Sequence, residues 1–217
     1  MIITIDGPAG SGKSTVAELL AKKLGFIHFN SGALYRGITA HLYSQGFKLE
    51  ELTKDSTVPH MNLNVEMIDG AQHVFVNNIN YTSQLRDNII STLVAHVGAN
   101  KNCRNLIDSC QKEFCSKNNV VMEGRDLGSY VFPNADVKFY LDCSIEERAK
   151  RRLLEEELKG SALSLETIKK QLSERDYLDK TREVAPLVCP KDAKIIDSSK
   201  LSIEEVVETM LINIIKK

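Results

Sequence analysis

Residues 7–14 read Gly-Pro-Ala-Gly-Ser-Gly-Lys-Ser, a complete GxxxxGK[ST] loop, and no other stretch constrains the fold as tightly. Such a loop works only where a strand ends and a helix begins. Its glycines let the backbone curl until successive N–H groups point at one anion, and the helix adds its positive end to the same spot. The flanks agree with that demand. Ile2, Ile3 and Ile5 form a short β-branched run that stops at Asp6 and Gly7, and Val16, Ala17, Leu19, Leu20 and Leu24 then recur at helical spacing before Gly25. Gly7, Pro8, Ala9, Gly10, Ser11, Gly12, Lys13, Ser14 and Thr15 are therefore expected to hold the phosphates of a nucleoside triphosphate. Lys13 would reach the terminal phosphates, and Ser14 would place its hydroxyl on a magnesium ion.

The remaining signals extend an α/β sheet. FIHFN at 26–30, VVME at 120–123, VKFYLD at 137–142 and KIIDSS at 194–199 read as strands. Ser144 with Glu147, and Ser202 with Glu205, each stand three apart ahead of an apolar periodic run. That is the capping-box spacing, and strand followed by capped helix fits parallel crossover units. The middle of the chain differs. Residues 62–81, NLNVEMIDGAQHVFVNNINY, alternate apolar and polar about Asp69-Gly70, as an antiparallel hairpin or meander does and a buried parallel strand does not. About 60–85 is thus expected to be an insertion carried by the core, within one domain spanning 1–217.

Composition sets the class. With 28 basic and 29 acidic residues the formal charge is -1, which disfavours a protein that lives on the nucleic-acid backbone. No apolar run nears the roughly 20 residues of a membrane helix, and MIITIDG has no basic region of a secretion signal. Five cysteines without a CxxC pair read as thiols of a reducing cytoplasm, and five histidines without ligand spacing read as structural. The expectation is a soluble, cytoplasmic protein with no nucleic-acid or membrane partner; nothing in the pattern demands a dimer, so a monomer is expected.

A phosphate loop alone leaves a GTPase switch, an ATPase and a small-molecule kinase open. Asn100-Lys101-Asn102-Cys103 lacks the aspartate that reads guanine in NKxD, which disfavours the switch. Arginines favour a kinase, because a phosphoryl donor and a phosphorylated acceptor bring several negative charges together and guanidinium forks neutralise and align them. Ser31 and Arg36 follow one strand and Arg125 and Asp126 another, at the carboxyl ends where α/β sheets bind ligands. Arg148, Arg151 and Arg152 share one helix with many glutamates, so a solvated salt-bridged face is the competing reading. Arg175, Asp179 and Arg182 fall at i, i+4 and i+7, on one helical face, though an ordinary surface pair is possible for the first two.

IDGPAGSGKST at 5–15, NSGALYR at 30–36, GRD at 124–126 with FP at 132–133, EERAKRR at 146–152 and ERDYLDKTREVAPL at 174–187 together resemble the bacterial cytidylate kinases, in order and almost end to end. The resemblance implies a P-loop kinase core of five parallel strands flanked by helices. It implies a monophosphate-binding lobe over about 31–105, bearing the small antiparallel sheet, and a short lid near 148–163. The implied reaction moves the γ-phosphoryl group of ATP to CMP or dCMP, with Mg2+. By the same resemblance Ser31, Arg36 and Arg125 grip the CMP phosphate, and Asp126 and Arg104 read cytosine. Arg175 and Asp179 contact the ribose, Arg182 reaches the phosphate or base, and Arg148 and Arg152 are lid arginines facing the transferred group. Lys13, Arg125, Arg148, Arg152 and Arg182 would be the catalytic set. One position departs from the family: a serine used on cytosine or sugar, nine residues before Arg104, is Ala95 here.

Overall fold

Strand β1 (Ile2–Asp6) leads through the glycine loop into helix α1 (Lys13–Leu24), which Gly25 closes in the left-handed conformation at φ 67°. The computed structural model describes residues 1–54, 59–158, 160 and 163–215. The remaining strands of the main sheet are β2 (Ile27–Asn30), β6 (Val120–Gly124), β7 (Val137–Asp142) and β8 (Lys194–Asp197), at the places the sequence marks. The sheet is parallel, in the order β2-β6-β1-β7-β8. Non-consecutive neighbours mean helical crossovers, and the register sets Asp6 beside Tyr140 and Asp142 beside Asp197. Residues that act can therefore gather where the strands end.

Contacts divide the chain into two compact units, Met1–Phe26 with Val121–Lys217, and Ile27–Val120. In the first, Ile3, Ile5, Val121, Phe139, Leu141 and Ile196 of the strands meet Val16, Ala17 and Leu20 of α1 and Val206, Val207 and Met210 of α8 (Ile203–Ile215). Helices α6 (Ile145–Leu158) and α7 (Leu165–Thr181) pack together through Ala149, Ile168 and Leu172. The segment read as a lid begins in α6; Lys159, Ser161 and Ala162 lie outside the described residues.

In the second unit, α2 (Ser31–Ser44) follows β2, with the Asn30 side chain accepting the Ala33 N–H at 3.0 Å. After the short α3 (Leu49–Leu52), strands β3 (Leu63–Ile68), β4 (Ala71–Val76) and β5 (Ile79–Asn80) form the expected antiparallel sheet. Its first turn is Asp69-Gly70 at φ 52° and 78°, the geometry a two-residue hairpin needs. Helices α4 (Asn88–Ala99) and α5 (Lys101–Ser116) complete the unit. Asn100 caps α5, accepting the Cys103 N–H at 3.0 Å, so the NKxD-like string is a helix start.

Two local expectations need correction. The Ser202–Glu205 box is complete: Glu205 Oε2 accepts the Ser202 N–H at 2.8 Å and Ser202 Oγ accepts the Glu205 N–H at 3.2 Å. The Ser144–Glu147 box is half made. Ser144 Oγ accepts the Glu147 N–H at 3.3 Å, but the Ser144 N–H goes to Ser199 Oγ, and Glu147 turns to Arg151 and Lys150 instead. The second correction is Arg182. Helix α7 stops at Thr181, and Arg182 has extended backbone, φ −60° and ψ 142°, so helical spacing does not place it.

Candidate active site

The loop is built as its sequence requires at three glycines. A Cβ on Gly7 would stand 2.2 Å from the Leu141 carbonyl oxygen, so only glycine lets β1 leave the sheet beside β7. Gly10 and Gly12 are at φ 76° and 91°, and Gly12 is the residue from which α1 starts. Pro8 and Ser11 are buried, Ala9 is half-buried, and Ser14 and Thr15 are exposed on the first turn of α1. Lys13 is buried, with Nζ donating to the Pro8 carbonyl at 2.6 Å and to Ser11 Oγ at 3.3 Å. Its pKa lies well below the usual lysine value, first because of burial and then because of the Arg125 guanidinium. A buried ammonium crowded by another cation is a place where an anion is welcome.

Asp179, on α7 and 2% exposed, is the hub of a second cluster. Its Oδ2 accepts from Arg125 Nε at 3.0 Å and from Arg175 Nε at 3.1 Å, and its Oδ1 lies 4.0 Å from Arg182 Nη1. Arg182 Nη2 stands 3.0 Å from Asp126 Oδ1. Burial raises the Asp179 pKa, but the Arg125 and Arg175 guanidiniums outweigh it and hold the carboxyl down at about 2. A tight turn explains how Arg182 arrives without a helix. Its Nε donates to the Ala185 carbonyl at 2.7 Å, Ala185 adopts φ 49°, and the Leu187 N–H returns to the Asp179 carbonyl at 2.7 Å. The structure thus brings Arg125, Asp126, Arg175, Asp179 and Arg182 into one network.

The three arginines of α6 diverge. Arg148 is buried against the back of the loop: Nε donates to the Cys143 carbonyl at 3.0 Å, and Nη1 to the Ala9 carbonyl at 2.9 Å while pairing with Asp176 at 2.7 Å. It is not part of a solvated face. Arg152 turns to Glu155 at 3.0 Å and Glu156 at 2.8 Å. Arg151, left out of the catalytic set read from sequence, donates to the Ser198 carbonyl at 2.7 Å, and its Nη1 stands 3.6 Å from where a Gly12 Cβ would be.

The second unit holds Ser31, Arg36, Arg104 and Ala95. Ser31 is buried at the start of α2, and Arg36 lies one turn on with its Nη1 3.1 Å from a Cβ built on Gly32. Arg104 is 1% exposed, donates to the Gly98 carbonyl at 3.0 Å, and sets its guanidinium 5.5 Å from the centre of the Tyr35 ring. Ala95 is half-buried on α4.

Sequence reasoning missed two supports of the site. Ser198 Oγ lies 3.1 Å from both the Ser11 and Asp142 carbonyls, joining the loop to the ends of β7 and β8. Asp6 accepts the N–H groups of Leu127 and Gly128. A polar residue at the last position of a strand that feeds a phosphate loop was the available signal for Asp6; Ser198 had none, because its partners are 187 and 56 residues away.

Comparison with known proteins agrees with this geometry. A family model for cytidylate kinase matches residues 3–217. The cytidylate kinase of Shouchella clausii is 40% identical over 210 residues, covering 96% of this chain and 93% of its own. That of Oceanobacillus iheyensis is 40% identical over 217 residues, covering 99% and 94%. Among solved structures, an uncharacterized protein from Eubacterium ventriosum matches with a TM-score of 0.53 at 15% identity, over 100% of this chain and 99% of that one, a likeness of fold alone. With one family model running from the third residue to the last, and relatives this similar along their whole length, the chain belongs to the cytidylate kinase family.

Proposed function

We propose that this chain transfers the γ-phosphoryl group of ATP to CMP or dCMP, giving CDP or dCDP. The observation that carries the reading is the concentration of cations in the first unit: buried Lys13 with its depressed pKa, Arg125 beside it, and Arg125, Arg175 and Arg182 drawn together by a single carboxylate. Asp126, Glu123 and Asp6 also act on these cations, yet guanidinium forks and an ammonium gathered at one place still offer the N–H donors that anionic phosphates accept.

The chemistry then needs no general base. An oxygen of the CMP phosphate, already anionic at neutral pH, attacks the γ-phosphorus; the bond from that phosphorus to the β–γ bridging oxygen breaks, and ADP leaves with the electron pair. No proton has to move. The protein's task is to position two anions and neutralise them. Gly7 to Thr15 hold the ATP phosphates and Lys13 follows the transferred group. Ser31, Arg36 and Arg125 take the CMP phosphate, Arg104 and Asp126 the base, Arg175 and Asp179 the ribose, and Arg182 the phosphate. In α6, Arg148 braces the loop from its place between Ala9 and Asp176 rather than facing the transferred group, and Arg152 would leave Glu155 and Glu156 to face it. The exposed hydroxyl of Ser14 is the hard oxygen donor that magnesium takes. Bound there with the triphosphate, the ion would offset charge on the phosphate oxygens.

Residues 31–105 act as the monophosphate lobe in this reading and 148–163 as a lid. The enzyme works as a monomer in the cytoplasm, where its five thiols stay reduced, without a nucleic-acid or membrane partner. No described helix is long and apolar enough to cross a membrane. The test is ATP consumption with CMP, dCMP, UMP, AMP and GMP in turn, with magnesium. Turnover with CMP and dCMP well above the others is expected. A preference for another monophosphate would overturn the assignments of Arg104 and Asp126, and inactivity with all five would overturn the reading.

A further inference from the structure

At the end of β1, Asp6 is 1% exposed, and each of its oxygens is used: Oδ1 accepts the Leu127 N–H at 3.0 Å and Oδ2 the Gly128 N–H at 2.7 Å. Those amides open the turn Leu127–Val131, directly after Arg125 and Asp126. The turn is of π type: the Tyr130 and Val131 N–H groups both return to the Asp126 carbonyl, at 2.9 and 3.1 Å. Such a turn cannot satisfy its own first amides, and π geometry is not self-supporting. Asp6 supplies the partner from another strand. Gly128 fits the turn against β1, since a Cβ there would come within 2.9 Å of Thr4 Oγ1.

A neutral acceptor could also hold two amides, so a buried carboxylate is an expensive choice for structure alone. Burial pushes its pKa up to about 6. The two amides and Lys13 work against that rise, and Asp126 adds to it. The charged and titratable groups that face Asp6 are Lys13 at the start of α1, Asp126 after β6, Tyr140 on β7 and Cys189 beyond α7. An acid that costs stability, and holds the segment presenting two site residues, is doing something that stability does not require.

We propose that Asp6 is a positioning residue for the monophosphate substrate: by holding the Leu127 and Gly128 amides it sets where Arg125 and Asp126 stand. From the far side those two residues are fixed by Asp179 and Arg182, so Asp6 closes the frame around them. The role rests on the cytidylate kinase reading above.

Wild-type turnover with CMP comes first; its absence sinks both that reading and this role. Given turnover, Asp6→Asn is expected to raise the KM for CMP about tenfold while the KM for ATP stays within about threefold. Its melting temperature at pH 8 should stay within a few degrees of that of wild type, because removing the buried charge offsets the one backbone N–H left facing the Asn NH2 group. A KM for ATP that rises in step with that for CMP, or an unchanged KM for CMP, overturns the role and leaves the kinase reading intact. If the variant does not fold, the wild type decides. The backbone amide resonances of Leu127 and Gly128 should titrate together between pH 5 and 7 without nucleotide, with a midpoint that drops when CMP is added. Flat resonances, or a midpoint that CMP does not move, would sink the proposal.

Discussion

Residues 7–14 are contiguous in the chain and their backbone is set by glycines at φ 76° and 91°; in the proposed reading it is chiefly their N–H groups that meet phosphate. Around Asp179 the groups are the guanidinium side chains of Arg125, Arg175 and Arg182, the first of them 54 residues from the one carboxylate that aims them. The first arrangement is held by conformations that other residues rarely adopt. The second is held by charge, so it depends on pH and on every member being present. A loop of this kind tolerates the loss of a side chain in its fold though not in its chemistry, whereas the cluster loses both together.

Substitutions separate the two. Lys13→Met should have the largest effect, reducing kcat about 10^3-fold while the melting temperature holds or rises, because a buried ammonium is removed and the backbone cradle is untouched. If the variant unfolds, the loop is not backbone-built as described. Asp179→Asn leaves three arginines without their shared partner. About 3 kcal/mol of stability should be lost in urea unfolding, along with most of the affinity for CMP. A stable variant with unchanged affinity would show that the arginines find other partners and that the cluster is not charge-held.

Acid unfolding sharpens the comparison further, since two buried aspartates have opposite signs. The Asp179 pKa is lowered from 3.8 to about 2, so its contribution of about 2 kcal/mol is complete above the ordinary carboxylate pKa and is lost as pH falls toward 2. The Asp6 pKa is raised from 3.8 to about 6, so ionising it in the fold costs about 3 kcal/mol, and stability should decline as pH rises from 4 to 6. Urea midpoints between pH 2.5 and 7.5 should therefore carry both slopes. Asp179→Asn should remove the lower and Asp6→Asn the upper; a slope that survives its own substitution would misassign that carboxylate. The smallest effect is at the helix caps. Ser202→Ala and Ser144→Ala should each cost about 1 kcal/mol, because each removes one bond to a serine Oγ. Glu205→Ala should cost more than Glu147→Ala, because only Glu205 returns a bond to its serine N–H. Equal losses for the two glutamate substitutions would mean that the return bond from Glu205 is worth nothing.

Everything encoded within a few residues was legible along the chain. β-branched runs became the strands of the main sheet, Asp69-Gly70 became the hairpin turn, Gly25 became the cap of α1, and the loop lies where its eight residues require. The motifs also carried the family, because their order along the chain is itself the signature. Which charges meet was fixed by packing and not by spacing. The spacing of Arg148, Arg151 and Arg152 suggests one face, yet the first goes to Asp176 and the loop, the second to Ser198 and the third to Glu155 and Glu156. Arg182 has helical spacing from Asp179, yet a turn at Ala185 delivers it from outside the helix. The physical reason is range. Backbone preference and capping act over three or four residues, while a buried carboxylate selects its partners from whatever the sheet brings within about 3 Å, and at Asp6 those partners lie 121 and 122 residues along the chain.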